Sequence, residues 1–225
     1  MAAQRVRQVV VAVEEIERRA AELHDIGLPF VYEDPAVAAF GAVNSLHVAG
    51  DTFVELLAER DEGSPVGRHR NRLGGDGGYM VIVQVDDLDA HLERVADLGI
   101  RVIWSGGIDG IRGAHLHPAD VGGAILSLDE ADPPEAWPWC GPDWTGDVPS
   151  TTGAPIAEIA VTAAEPAATA RRWGDILDLE PTDTTIRLPG TEIHFVPADQ
   201  GPDRLVSVHV AGIGDHRIGG VRLHG

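Results

Sequence analysis

Two stretches of this chain superimpose without a gap, VVVAVEEIERRAAELHDIGLPF (9–30) and VIVQVDDLDAHLERVADLGIRV (81–102), and their offset is 72 residues. The same offset carries GDTFVELLAE (50–59) onto GGAILSLDEA (122–131). Opening and closing segments recur in one register, so the first 131 residues or so read as an internal duplication. Each copy opens on a β-branched run. Apolar residues at helical spacing follow, Ile16, Ala20, Leu23 and Ile26 in the first copy and Leu88, Leu92, Val95 and Leu98 in the second. Extended segments come next, and Gly50-Asp51, between 43–49 and 52–58, reads as a two-residue hairpin loop. The repeating unit is therefore β-α-β-β-β, and the fold class is α+β.

Residues 132–155 break this pattern. PPEAWPWCGPDWTGDVPSTTGAP concentrates proline and glycine with three of the five tryptophans. Exposed tryptophan is unfavourable, so Trp137, Trp139 and Trp144 are expected to cover the first domain or join it to the second, with a ligand lid as the alternative. AEIAVTAAEPAATARRWGDILDL (157–179) then starts a third unit, with extended segments at 184–188 and 191–196. A fourth opens at 205–210, lacks a helix and closes on IGGVRLHG (218–225). The expected organisation is a two-module domain over 1–131, a Trp- and Pro-rich linker over 132–155, and a reduced second domain over 156–225.

Charge and composition narrow the function classes. All 17 basic residues are arginine, which excludes Schiff-base chemistry and a lysine base, and 36 acidic residues bring the net charge to -19. That balance argues against a nucleic-acid or anionic-membrane partner. No apolar run approaches the roughly 18 to 20 residues of a membrane span. MAAQRVRQVVVAVEE lacks the features of a signal peptide, and the single Cys140 allows no internal disulfide. These features point to a cytoplasmic globular protein with a small-molecule partner. Open sheet edges in the reduced second domain suggest a homodimer by edge pairing.

Paired β-α-β-β-β units that carry VRQVVVAV, VGRHRNRLGGDGGYMVIVQVDDLD and HLHPADVGGAILSLD resemble the vicinal oxygen chelate superfamily, which includes glyoxalase I, methylmalonyl-CoA epimerase, extradiol dioxygenases and bleomycin-resistance proteins. The epimerase and glyoxalase branch looks closest, over residues 5–131. The resemblance implies a cupped sheet with four inward side chains on the first and last strands of each unit, which are His, Glu or Gln in metal-dependent members. Carried over in register, these positions are Gln8, Glu55, Met80 and Ser127, and the offset of 72 pairs Gln8 with Met80 and Glu55 with Ser127. One carboxylate and one amide are a poor set for Zn, Fe or Mn. No cofactor is assigned, and a divalent metal is left open.

Without a metal, Glu55 on an inward position would be desolvated, its pKa raised, and it would suit removal of a proton from carbon beside a carbonyl, with a structural carboxylate satisfied by Gln8 or an arginine as the alternative. The epimerase resemblance implies paired bases, of which one is visible in the sequence. Gln8 and Asn44 would position the substrate oxygen. Alternation places Val10 with Gln8, Leu46 and Asn44 on the side of Glu55 together with Phe53, and Ile82 and Gln84 with Met80, as pocket lining. Arg68, Arg70 and Arg72, in a loop GRHRNR, would hold an acidic tail or the phosphates of a CoA thioester. His115 and His117 read as structural residues on one strand face. In the second domain the four positions are Glu158, His194, Leu205 and His224, whose two histidines and one carboxylate are ingredients of a metal site. Three functions follow, in order: a lyase or isomerase that moves a proton on a carbonyl or thioester through Glu55, a metal-free binder of a drug or metabolite, and a metal-dependent dioxygenase using Glu158 and His194. The substrate and the oligomeric state are not readable from the residues.

Overall fold

The computed structural model describes residues 4–142, 144, 153–198 and 201–225. The first module comprises β1 (Arg5–Val13), α1 (Ile16–Asp25), β2 (Phe30–Tyr32), β3 (Ala42–Ala49) and β4 (Thr52–Glu59). Helix α2 (Pro65–Leu73) leads into the second, made of β5 (Gly77–Gln84), α3 (Leu88–Asp97), β6 (Val102–Ile108), β7 (Ile111–Leu116), α4 (Pro118–Val121) and β8 (Ile125–Ala131). Helices α1 and α3 start and stop at the same offset of 72 that relates the sequences. The apolar positions of both helices pack on the core as their spacing requires.

These strands form one eight-stranded sheet in the order β2-β3-β4-β1-β5-β8-β7-β6. Its centre is the antiparallel pair β1 and β5; β4 runs parallel to β1 on one side and β8 parallel to β5 on the other. The arrangement has an approximate twofold through the middle, so the last strands of the two modules flank the first strands symmetrically. Gly50 and Asp51 join β3 to β4 across the pair Ala49 and Thr52.

Residues 156–225 build a second sheet on the same plan. β9 (Ile156–Ala163), α5 (Pro166–Leu177), β10 (Thr185–Leu188) and β11 (Thr191–Pro197) form a module, followed by β12 (Leu205–Val210), β13 (Asp215–Ile218) and β14 (Val221–His224). The order is β10-β11-β9-β12-β14-β13, with β11 parallel to β9, β12 antiparallel to β9, and β14 parallel to β12. The fourth module has no helix and passes from its first strand to the hairpin β13–β14. No helix among the described residues is long and apolar enough to cross a membrane.

Strand alternation divides the interior. On β1, Val9, Val11 and Val13 face a core that continues into α1, α3, α5 and the inner face of the second sheet, while Val10 and Ala12 face the cup. Residues 132–142 and 144 fold back over the cup, burying Trp137 and Cys140; most of the remaining linker lies outside the described residues. The stretch GRHRNR, expected as a loop, is helical within α2. Ser64 accepts from Gly67 N, Pro65 occupies the first turn, and Gly74 at φ 75 terminates the helix.

Candidate active site

Strand β4 alternates so that Val54, Leu56 and Ala58 enter the main core, whereas Phe53, Glu55 and Leu57 belong to the cup side. Glu55 is 6% exposed, and both its oxygens are engaged. Gln8 Nε2 donates to Glu55 Oε2 and Asn44 Nδ2 to Glu55 Oε1, each at 2.7 Å. The two amides are themselves fixed at their carbonyl ends. Trp137 Nε1 donates to Gln8 Oε1 at 2.9 Å, and the Asp34 backbone N–H donates to Asn44 Oδ1 at 2.8 Å. With those oxygens committed, both NH2 groups must point at the carboxylate. Burial pushes Glu55 up to about 7, opposed by the two amide donors and assisted by the charge of Asp34.

A second buried carboxylate lines the same cavity from the other module. Asp129 on β8 is 2% exposed and accepts from Ser127 Oγ and, at 2.7 Å, from Trp139 Nε1. Burial raises it to about 7 against these two donors. The cavity between the two acids has a volume of about 170 Å³. Its wall includes Phe40, Tyr79, Trp104 and Trp139, with Trp104 edge-on to Phe40 at 5.8 Å and 4.4 Å from the ring of His115. Burial lowers His115 to about 4, so it is neutral at pH 7.

Of the residues expected to line the pocket, Gln8, Val10, Asn44, Leu46, Met80 and Ile82 do so together with Glu55. Three do not. Phe53 is covered by Trp144 at 4.8 Å and by the guanidinium of Arg7 at 5.9 Å. Gln84 donates to Pro134 O and accepts from Arg5 Nε, which ties it to the returning linker. Ser127 sits behind Asp129, to which it donates. Arg7, fully buried between Phe53 and Trp137 and bonded to Glu135 O, anchors that linker from below.

The expected anion anchors also separate. On a helix the alternating arginines do not share a face. Arg70 pairs with Glu14 and Asp76 and is withdrawn from ligand binding. Arg68 and Arg72 are exposed, and both influence the hydroxyl of Tyr79 on the cavity wall. His115 and His117 part as well. His115 is in the cup, while His117 lies beyond β7, where it accepts from Ala119 N at the start of α4. Asp129 follows from the alternation that starts at Ser127. Tyr79 does not, because β1 and β5 slip register between Val10 and Val11, which lets adjacent Tyr79 and Met80 both reach the cup.

The fold family implies a metal, and neither cup offers ligands that fit one. At the four register positions of the first, the carbonyl of Gln8 is turned to Trp137 and the hydroxyl of Ser127 to Asp129, leaving the Glu55 carboxylate and the Met80 thioether, while the cavity's other deep acid, Asp129, is engaged by Ser127 and Trp139. In the second sheet, His194 Nε2 is 3.8 Å from Glu158, but His224 turns its ring nitrogens to His209 and Ser207, and Leu205 points into the main core. Among the described residues, no three His, Cys, Asp or Glu side chains converge on a metal position.

The paired modules and the central β1–β5 pair define the architecture, and solved structures share this fold. The methylmalonyl-CoA epimerase of Mycobacterium tuberculosis superposes with a TM-score of 0.51 at 25% identity, over 56% of this chain and 87% of that one. The fold is that of the vicinal oxygen chelate superfamily. A Streptomyces coelicolor methylmalonyl-CoA epimerase in complex with 2-nitronate-propionyl-CoA gives a TM-score of 0.52 at 20% identity, over 58% and 99%. Among curated proteins, an ethylmalonyl-CoA/methylmalonyl-CoA epimerase of Cereibacter sphaeroides is 27% identical over 135 residues, 56% of this chain and 97% of the relative. The mitochondrial methylmalonyl-CoA epimerase of Homo sapiens is 29% identical over 133 residues, 56% and 74%. No family model matches the chain.

Proposed function

We propose that this protein is an isomerase of the glyoxalase-like kind, which removes and returns a proton at the carbon next to the carbonyl of a thioester or related substrate. The observation that carries this reading is Glu55, a buried carboxylate raised to about 7 and held by two amides whose own orientation is locked. The epimerase relatives support the thioester class. A base is most effective when its pKa lies near the working pH. Glu55 takes the α-proton, leaving an enolate, and the carboxylic acid form of Asp129 returns a proton from the opposite module, which inverts the carbon. Glu55 then carries the proton and Asp129 the charge, the arrangement needed for the reverse reaction. Arg68 and Arg72 stand outside the cavity, placed for the phosphates of a CoA tail.

The test is wash-in of deuterium at the α-carbon of a panel of acyl-CoA thioesters, methylmalonyl-CoA among them, followed by NMR in D2O. Exchange by the native protein and its loss in Glu55→Gln support the reading. Undiminished exchange in that variant overturns it. A metal-free ligand-binding protein is the second reading, favoured by the poor metal-ligand set of the cup, and it predicts saturable binding with no exchange. The lyase reading shares Glu55 with the isomerase, and the dioxygenase reading lacks a converging set of three metal ligands among the described residues.

A further inference from the structure

The groups of the cup wall able to carry charge near pH 7 are all acids. Asp34, Glu55 and Asp129 contribute to the wall, and no arginine does. Lysine is absent from the chain, and His115 is neutral at pH 7. Elsewhere arginines pair readily with acids, as Arg19 and Arg70 do with Asp76 and Arg101 with Asp120. Glu55 and Asp129, the two most deeply placed acids of the cavity, receive only neutral donors: two amides for one, a hydroxyl and an indole for the other. Buried charge is expensive without an opposite charge. Around these acids stand the rings of Phe40, Tyr79, Trp104 and Trp139. Arg7 lies behind this wall, between Phe53 and Trp137, where it is bonded to Glu135 O and does not line the cavity. Carboxylates with aromatic rings, and no cation among the lining side chains, are the combination that attracts an organic cation by Coulomb and cation–π forces together.

We propose that the cup receives a positively charged organic group, an ammonium or quaternary ammonium carried by the substrate, seated among Glu55, Asp129 and the aromatic rings. The proposal deepens the proton-transfer reading and takes from it that Glu55 marks the ligand site. A neighbouring cation also stabilises the enolate formed beside it, so the same group serves binding and reaction. A second carboxylate on the acyl group, as in a malonyl thioester, would meet two acids and no partner. A hard divalent ion needs converging ligands, and no three such side chains converge among the described residues, whereas an alkylammonium needs no directed ligands.

Isothermal titration of the full chain at pH 7.5 tests this with three probes: choline, its uncharged carbon isostere 3,3-dimethylbutan-1-ol, and methylmalonate. Choline is expected to bind about tenfold or more tighter than the isostere, with methylmalonate the weakest of the three. Glu55→Gln and Asp129→Asn should each erase the preference for choline while leaving the isostere unchanged. Trp104→Leu, which removes no buried acid, should weaken choline several-fold and is the fallback if the acid variants do not fold. Choline binding no tighter than the isostere, including no binding of either, or methylmalonate binding tighter than choline, overturns the inference. The deuterium assay separates the two proposals. Exchange without cation preference removes this one alone; cation binding without exchange, with an ammonium-bearing acyl thioester added to the panel, removes the proton-transfer reading and leaves a cation-binding protein.

Discussion

Glu55 is subject to two opposed influences, burial that favours its acid form and amide donors that favour its anion, and burial prevails. Glu55→Gln should therefore lower α-proton exchange by about 10²- to 10⁴-fold, the usual worth of a positioned base, as read by the deuterium assay. The same shift has a sign for stability. In the folded protein Glu55 and Asp129 hold their protons up to about 7, while the unfolded chain releases them near 4. The folded state binds more protons between those values, so their contribution to stability falls as pH rises from about 4 to about 7. Thermal unfolding should show Asp129→Asn gaining on the native protein between pH 5 and pH 8; a constant difference would show that Asp129 is not raised. Trp137 acts through Gln8. Trp137→Phe removes the donor that fixes the amide, at about 1–3 kcal/mol, and frees Gln8 to turn its NH2 from Glu55. The expected result is a rate–pH profile displaced to higher pH, which loss of packing alone would not produce. Glu55 and Asn44 were legible in the sequence because alternation along β3 and β4 is regular, and Gln8 because it stands in register with Val10, whereas the slip between Val6 and Gln8 turns Arg7 to the cup side as well, which alternation does not show. Asp129 was equally within reach of alternation, yet the duplicated register drew attention to Ser127, two residues before it. Phe53 and Gln84 were misplaced because their neighbours, Trp144 and Pro134, come from a linker whose path no periodicity encodes.

At the level of elements, the periodicity that revealed α1 and α3 is clear because each has an apolar face, and the two helices are related by the same offset of 72. Helix α2 was hidden because its centre is polar, GRHRNR, and the signals that define it lie at its ends in Ser64, Pro65 and Gly74. Its inner face carries a test with an unusual sign. A Cβ on Gly67 would lie 2.0 Å from Glu59 Oε1, and Glu59 in turn accepts from the N–H and the hydroxyl of Ser64, the cap of the same helix. Helix propensity alone predicts that Gly67→Ala stabilises by about 1 kcal/mol. Displacement of Glu59 predicts the reverse, a loss of about 1–3 kcal/mol through the orphaned cap, with faster amide exchange over 65–73. A higher midpoint in thermal unfolding would mean that Glu59 swings clear without consequence.

For the molecule as a whole, the second sheet is not an appended domain with a core of its own. Val9, Val11, Val54 and Val81 from the first sheet and Ile159, Val161, Leu205 and Val208 from the second belong to one continuous buried cluster. The sequence showed two sets of strands and could not show this contact, because both faces that meet are simply apolar. Closest approach occurs where β5 meets β12: a Cβ on Gly78 would lie 2.1 Å from the carbonyl oxygen of Leu205. Backbone on both sides leaves no flexible side chain to yield, so Gly78→Ala must push the sheets apart and should destabilise by about 1–3 kcal/mol or more, as overpacking does. Gly78 immediately precedes Tyr79 and Met80 on the cup wall, so the strain reaches the site from behind. One shared core also requires one transition: circular dichroism and tryptophan fluorescence should report the same midpoint in urea. Two separated midpoints would mean that each sheet holds itself together, and that the apolar back of the cup tolerates exposure. A coincident midpoint would instead assign the reduced second half its role, as the cover without which the back of the cup sheet faces water.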